Sequence, residues 1–188
     1  MEIELEARRR IYRAIKRSPG IHFRELLKRL GIVVGELQYH LDWLVRKGII
    51  RMERDEGFTR YFPKDFVLDE QDREIMRHLW RRTTRKIIIW LLQNPCSTLT
   101  EISKAINRSP STTSWHLDKL VRAGLVVRRK ERTTFFTIRE PERVVRLLIL
   151  YRESFLDRIV DSFIEVWEEE NPSAETGIHG KNRREHDA

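Results

Sequence analysis

The 188-residue chain carries 37 Lys and Arg against 29 Asp and Glu, and 40% of its residues are hydrophobic, enough for cores in two small domains. The single cysteine, Cys96, excludes a disulfide framework and any cysteine-based zinc ribbon or finger. The longest apolar runs, Ile87 to Leu92 and Val144 to Tyr151 broken by Arg146, fall far short of the roughly 18 residues of a membrane span, and no signal-peptide pattern opens the chain, so a cytoplasmic protein is expected.

The first predicted element is an amphipathic helix from about Glu4 to Arg17, with Leu5, Ile11, Tyr12 and Ile15 apolar and Arg8, Arg9, Arg10 and Arg13 basic. Ser18-Pro19-Gly20 ends it. A short helix follows from Phe23 to Leu30, with His22 and Glu25 at the capping-box positions although His is a poor cap. Gly31 closes that helix and permits a tight turn into a third, roughly Val33 to Lys47. Gly48 stops the third helix, and Ile49 to Arg54 and Phe58 to Pro63 then form a hairpin around Asp55-Glu56-Gly57.

The same order then repeats. His40, Leu41, Asp42, Leu44, Val45, Arg46 and Gly48 each recur 76 positions later, as His116, Leu117, Asp118, Leu120, Val121, Arg122 and Gly124. A match this dense marks a duplicated structural unit. Before the second copy, Asp69 is placed to cap a connector helix from Glu70 to about Trp80. In the second copy Thr98 and Glu101 fill the capping-box positions, Asn107 stands where Gly31 stood, and Ser109-Pro110 supplies a cap with proline at the first helical position. Aligning Tyr61-Phe62 with Phe135-Phe136 gives an offset of 74, which makes the second hairpin two residues shorter.

Helix, short helix, tight turn, helix and hairpin is the order of a winged helix-turn-helix, in which the third helix enters a major groove and the hairpin wing meets flanking backbone. The expected fold is mostly α with small β-hairpin wings. Its expected divisions are a first winged domain at 1–64, a helical connector at 65–81, a second winged domain at 82–140, a long C-terminal helix at 141–170 and a disordered tail at 171–188. The C-terminal helix would span roughly 45 Å at 1.5 Å per residue. Its first half is apolar on more than one face, so something besides its own wing must cover it, and a homodimer through this helix is expected, with packing back onto its own domains as the other possibility.

Charge separates these parts. Residues 1–140 hold 30 basic against 18 acidic side chains, whereas residues 141–170 hold 4 against 8. A basic body with an acidic extension suits a polyanion-binding module with a separate interaction element. His40 and His116 recur without a nucleophile, paired carboxylate or glycine-rich phosphate loop, so no catalysis, metal or cofactor is expected, and packing or a phosphate hydrogen bond is the reading for both histidines.

The stretch from Ser109 to Val126, with its Trp-His-Leu-Asp-Lys-Leu-Val-Arg-Ala-Gly core, resembles the recognition-helix pattern of winged-helix repressors related to the arsenical-resistance and multiple-antibiotic-resistance regulators. Residues 1–140 as a whole resemble archaeal transcriptional regulators with two such domains in tandem. The metal-ligand clusters of the metal-sensing members have no counterpart here.

The resemblance implies double-stranded DNA as partner and sequence-specific transcriptional regulation as function. The contact residues expected in the first copy are Gly35, Gln38, Tyr39 and Arg46 on the helix and Arg51, Arg54 and Arg60 on the wing. In the second copy they are Ser109, Ser111, Thr112, Ser114, Trp115, His116, Lys119 and Arg122, with Arg128, Arg129, Lys130 and Arg132 on the wing. Glu36 and Asp42 would repel phosphate, and with Tyr39 and Trp43 they favour the alternative, a scaffold whose winged helices bind protein. An RNA-binding role is a third option.

Overall fold

The computed structural model describes residues 2–55, 57–155 and 158–171. The expected disordered tail lies, apart from Asn171, outside the described residues. The chain forms two compact units. One contains the described residues up to Leu68 and, again, Glu153 to Phe155; the other contains Asp69–Arg152 and the described residues from Arg158 onward. The expected helical connector, 65–81, is divided: residues 65–68 belong to the first unit and its helix to the second.

The first unit is built from α1 (Glu2–Arg17), β1 (Ile21–His22), α2 (Phe23–Leu30), α3 (Val34–Arg46), β2 (Ile50–Asp55) and β3 (Phe58–Pro63). Its core joins Ile11 and Ile15 of α1 to Leu26 of α2, Leu37, Leu41 and Leu44 of α3, and Ile50 and Tyr61 of the sheet. The spacing of the α3 residues puts them on one helical face. The sheet order is β1-β3-β2, antiparallel throughout. Ser18 donates from its hydroxyl to the Glu153 carbonyl at 2.6 Å, and Arg29 reaches the same oxygen at 3.0 Å, which fastens residues 153–155 into this unit.

The second unit opens with α4 (Glu70–Leu79), capped by Asp69, whose carboxylate accepts from the Asp72 N–H at 2.7 Å. It continues with α5 (Arg82–Gln93), β4 (Ser97–Thr98), α6 (Leu99–Ile106), α7 (Pro110–Arg122), β5 (Val126–Lys130) and β6 (Thr134–Ile138). The sheet order β4-β6-β5 repeats that of the first unit. Two helices complete the unit, α8 (Pro141–Leu150) and α9 (Arg158–Glu170). The Asp72 carboxylate ties α4 to α8 by accepting from Arg143 at 2.6 Å and from Arg146 at 3.1 Å.

Two sequence expectations need correction. The hairpins are offset by 75, not 74: β1 pairs Ile21 with Tyr61 while β4 pairs Ser97 with Phe136, so Tyr61 corresponds to Phe136. The second hairpin is therefore one residue shorter. On β6 Phe136 and Ile138 are buried while Phe135 and Thr137 are only partly so, and a slip of one would have turned Phe136 outward. The second correction concerns the C-terminal helix, which is not continuous. α8 ends at Leu150, and a 3-10 turn, Arg152–Ser154, precedes α9. In an unbroken helix the Glu153 carbonyl would accept from a backbone N–H four residues on; here Ser18 and Arg29 bond it instead. The apolar stripe of α9 is covered within the chain, Val160, Phe163 and Ile164 being buried where α9 packs on α5 and α8.

Candidate nucleic-acid interface

Each helix-turn-helix is set by the residue that closes its second helix. Gly31 takes a left-handed backbone, φ +65°, and its N–H bonds the Leu27 carbonyl at 2.9 Å. Asn107 does the same work at φ 52°, one of the few non-glycine types that tolerate it. Once the turn is fixed, burial of one side of the following helix fixes what the other side shows. With Leu37, Leu41 and Leu44 inside, α3 shows Gln38, Tyr39, Asp42 and Arg46 to solvent. With Thr113, Leu117 and Leu120 inside, α7 shows Ser111, Thr112, Trp115 and Arg122, and half-exposes Ser114, His116 and Lys119.

The start of α7 is a cluster of hydroxyls. Ser109 caps the helix by accepting from the Thr112 N–H at 3.2 Å, and its Oγ lies 3.0 Å from that of Ser111 and 2.8 Å from Oγ1 of Thr112. Small hydroxyl groups at a helix start suit an anion, since the positive end of the helix dipole adds to their hydrogen bonds. Exposed Arg108 stands directly ahead of the cap. Sequence reasoning passed over this residue, although a basic side chain next to a Ser-Pro cap was the available signal. One turn further along, the Lys119 ammonium lies 4.0 Å from the centroid of the Trp115 ring, whose indole is about half exposed.

The wings differ more than their sequences suggest. In the second, Arg129, Lys130 and Arg132 are exposed, while Arg128 pairs with Asp118 of α7 and lies over the Phe136 ring. In the first, only Arg54 of the expected cations is exposed. Arg51 is half-buried, pairs with Glu53 and donates to the Phe66 carbonyl at 2.8 Å. Arg60 is 5% exposed and donates to the Gly20 carbonyl at 2.9 Å, which removes it from the expected contact set. Both faces of β3 are covered: Tyr61 is buried on one and Phe62 on the other, and Arg60, paired with His22 of β1, shares the face of Phe62.

The recurring histidines differ in burial, His40 being enclosed and His116 half-exposed. His40 is buried, its Nε2 3.9 Å from Glu36, and its ring meets Tyr39 edge-on at 5.2 Å. His116 makes the same edge contact with Trp115 at 4.8 Å. The Tyr39 and Trp43 pair is partly covered, because the Arg8 guanidinium of α1 lies 4.1 Å from the Trp43 centroid. Among the described residues no cluster of three or more potential metal ligands occurs, and no helix is long and apolar enough to cross a membrane.

A three-stranded sheet with a two-stranded wing behind a helix-turn-helix, present twice, defines a tandem winged helix-turn-helix protein. Residues 5–76 match a family described as an N-terminal HTH domain, and residues 80–127 match the winged helix-turn-helix DNA-binding family. The chain is also similar to an uncharacterised HTH-type transcriptional regulator of Methanocaldococcus jannaschii, with 32% identity over 126 residues, or 67% of this chain and 31% of that protein. Both matches are to helix-turn-helix modules, one in each half of the chain, and the chain spans about a third of that relative's length. The matched families are helix-turn-helix modules rather than enzyme families.

Proposed function

We propose that this chain is a sequence-specific, duplex-DNA-binding transcriptional regulator in which α7 and the second wing supply most of the affinity. The observation that carries this reading is the continuous set of groups suited to phosphate on one helix and its wing. The Ser109, Ser111 and Thr112 hydroxyls lie at the start of α7, Lys119 and Arg122 along it, and Arg129, Lys130 and Arg132 on the hairpin that follows. Phosphate contacts position the protein and displace counterions, so affinity falls as salt rises.

The test is binding to unrelated duplex DNA as a function of salt, for the intact chain and for a variant with Arg129, Lys130 and Arg132 changed to Ala. The reading requires a steep dependence for the intact chain and a slope shallower by up to about 0.9 per lost phosphate contact for the variant. A second reading, a protein-docking scaffold, draws on α3, which offers Glu36 and Asp42 beside exposed Val33 and Val34. Absence of DNA binding at low salt would leave that reading standing alone. Sedimentation of the intact chain tests the homodimer suggested by the sequence. The α9 stripe is used inside the chain, so the apolar surface left on α8 and α9 for a second copy is chiefly Leu150 and Val166.

A further inference from the structure

The two third helices are close copies on their buried sides and unlike on their outer sides, and the difference has a chemical pattern. On α3, Val34, Gln38 and Asp42 follow one another at intervals of four, which stacks them in one stripe. All three are exposed, Val34 at 60%. Gln38 donates one amide N–H to Asp42 Oδ1 at 2.9 Å. The amide plane is thereby held, with its carbonyl oxygen and its second N–H still available. The positions 76 further on are Pro110, Ser114 and Asp118, which cannot form this arrangement, and Asp118 is engaged by Arg128 instead.

Gly35 adds an independent observation. It lies in the first turn of α3, beside Val34, with ordinary helical backbone. A Cβ built on it would meet nothing within 4 Å. Neither a left-handed φ nor internal crowding therefore explains a glycine that weakens the helix relative to alanine. Nothing within the chain accounts for the missing side chain, and a bare first turn leaves the α3 backbone open to close approach.

Resting on the DNA-binding reading above, we propose that α3 reads an A·T-containing element. Gly35 lets the first turn sink against the base edges, Val34 packs on a thymine methyl, and Gln38, positioned by Asp42, bonds an adenine through its carbonyl oxygen and free N–H. The chemistry fits: adenine presents an N7 acceptor and an N6 donor in the major groove, the complement of a carboxamide, and the thymine methyl is the one apolar feature there. Glu36 and Asp42, unfavourable next to phosphate, are compatible with a helix whose contacts are to bases. α7, with hydroxyls and Lys119, reads something else. The site of one chain is therefore a composite of two unlike elements.

The experiment is selection from randomised duplex DNA with the full chain, followed by affinity measurements on the enriched site. The wild type is expected to enrich a motif with a fixed A·T pair. Gln38→Ala should relax that position, with discrimination there falling about tenfold or more, and leave the rest of the motif intact. Val34→Ser should weaken preference for the neighbouring thymine. Gly35→Ala is expected to raise the thermal midpoint of the protein while lowering affinity for the selected site, a split that simple misfolding does not produce. If Gln38→Ala and Gly35→Ala leave motif and affinity unchanged while Lys119→Ala alters them, α3 does not read DNA and its exposed face serves a protein instead. If the wild type binds no duplex at low salt, the DNA-binding reading itself fails, which is a different result from loss of the α3 contribution alone.

Discussion

Asp118 on α7 is paired with Arg128 on β5, so the recognition helix and its wing are joined by a carboxylate and a guanidinium. The twin of Asp118 is Asp42, but the position equivalent to Arg128 holds Met52, and Asp42 accepts from Gln38 instead. One recurring aspartate thus links helix to wing in one copy and orients an amide in the other.

Arg128 is consequently the wing cation least able to serve phosphate, its charge being offset by Asp118. Arg128→Ala should leave the salt dependence of DNA binding nearly unchanged, whereas Asp118→Ala should steepen it by up to about 0.9 as Arg128 is released. Both side chains are more than 40% exposed, so loss of the pair should cost stability no more than about 1 kcal/mol. Equal slope changes for Arg128→Ala and Arg129→Ala would contradict this assignment.

The capping box of α6 offers a second test. Thr98 and Glu101 bond each other's backbone, and the Thr98 N–H and hydroxyl hold the Glu101 carboxyl below its usual range. Thr98→Ala should lower stability by about 1 kcal/mol in denaturant unfolding. The share of this contribution that comes from the Thr98 hydroxyl bond to the Glu101 carboxylate is present above the ordinary Glu range and lost as pH falls through the depressed value, so the gap between wild type and variant should narrow in acid. In the first copy His22 makes no side-chain cap bond to α2, although Glu25 is in place. His22→Thr should complete the box there and raise stability by about 1 kcal/mol.

The elements were legible in the sequence because each had a local signal: the Ser109-Pro110 cap, the Asp69 cap, the paired positions Gly31 and Asn107, and the repeat itself. What escaped were consequences of distant contacts. Nothing in residues 141–170 beyond Pro141 is a helix breaker, so the interruption at 152–154 could not be read from propensity; it follows from Ser18 and Arg29, more than 120 positions away, taking the Glu153 carbonyl. The hairpin offset escaped because Phe135 and Phe136 are both aromatic, and only pairing with Ser97 and Thr98 decides which faces the core. The burial of Arg60 escaped for the same reason, since its partner is a carbonyl on a loop 40 residues earlier.

Asp72 is the hub of the α4 and α8 contact. It is buried, and it accepts from Arg143 and Arg146 together, while Arg143 also reaches Asp69 at 2.7 Å. Asp72→Ala leaves Arg143, itself mostly buried, short of its main acceptor. A loss of about 1.5–3 kcal/mol is expected, the range for a hydrogen bond to a charged group. Arg146→Ala, at an exposed position, should cost much less. Thermal unfolding of the two variants beside wild type checks the ranking, and equal losses would show that Arg143 finds other acceptors.

The last prediction concerns pH. His78 on α4 is buried, with Nε2 3.4 Å from Glu74 Oε1. Burial pushes its pKa below the usual histidine value, an effect that Glu74 opposes and Arg81 adds to. His22, less buried, is lowered as well, first by burial and then by Arg60. A base whose pKa is lower in the folded state binds more protons when unfolded, so its stabilising contribution is present above about pH 6.5 and declines as pH falls from there toward the folded-state value. Stability should therefore drop as pH falls from about 6.5 to 5.5, before the carboxylates begin to titrate. His78→Leu retains the apolar volume at the α4 site without the titrating ring, so its unfolding midpoint should change less over that interval. His22→Thr combined with it should flatten the profile further. An unaltered drop in the double variant would assign the pH dependence to other groups and leave both histidines as uncharged packing residues throughout this range.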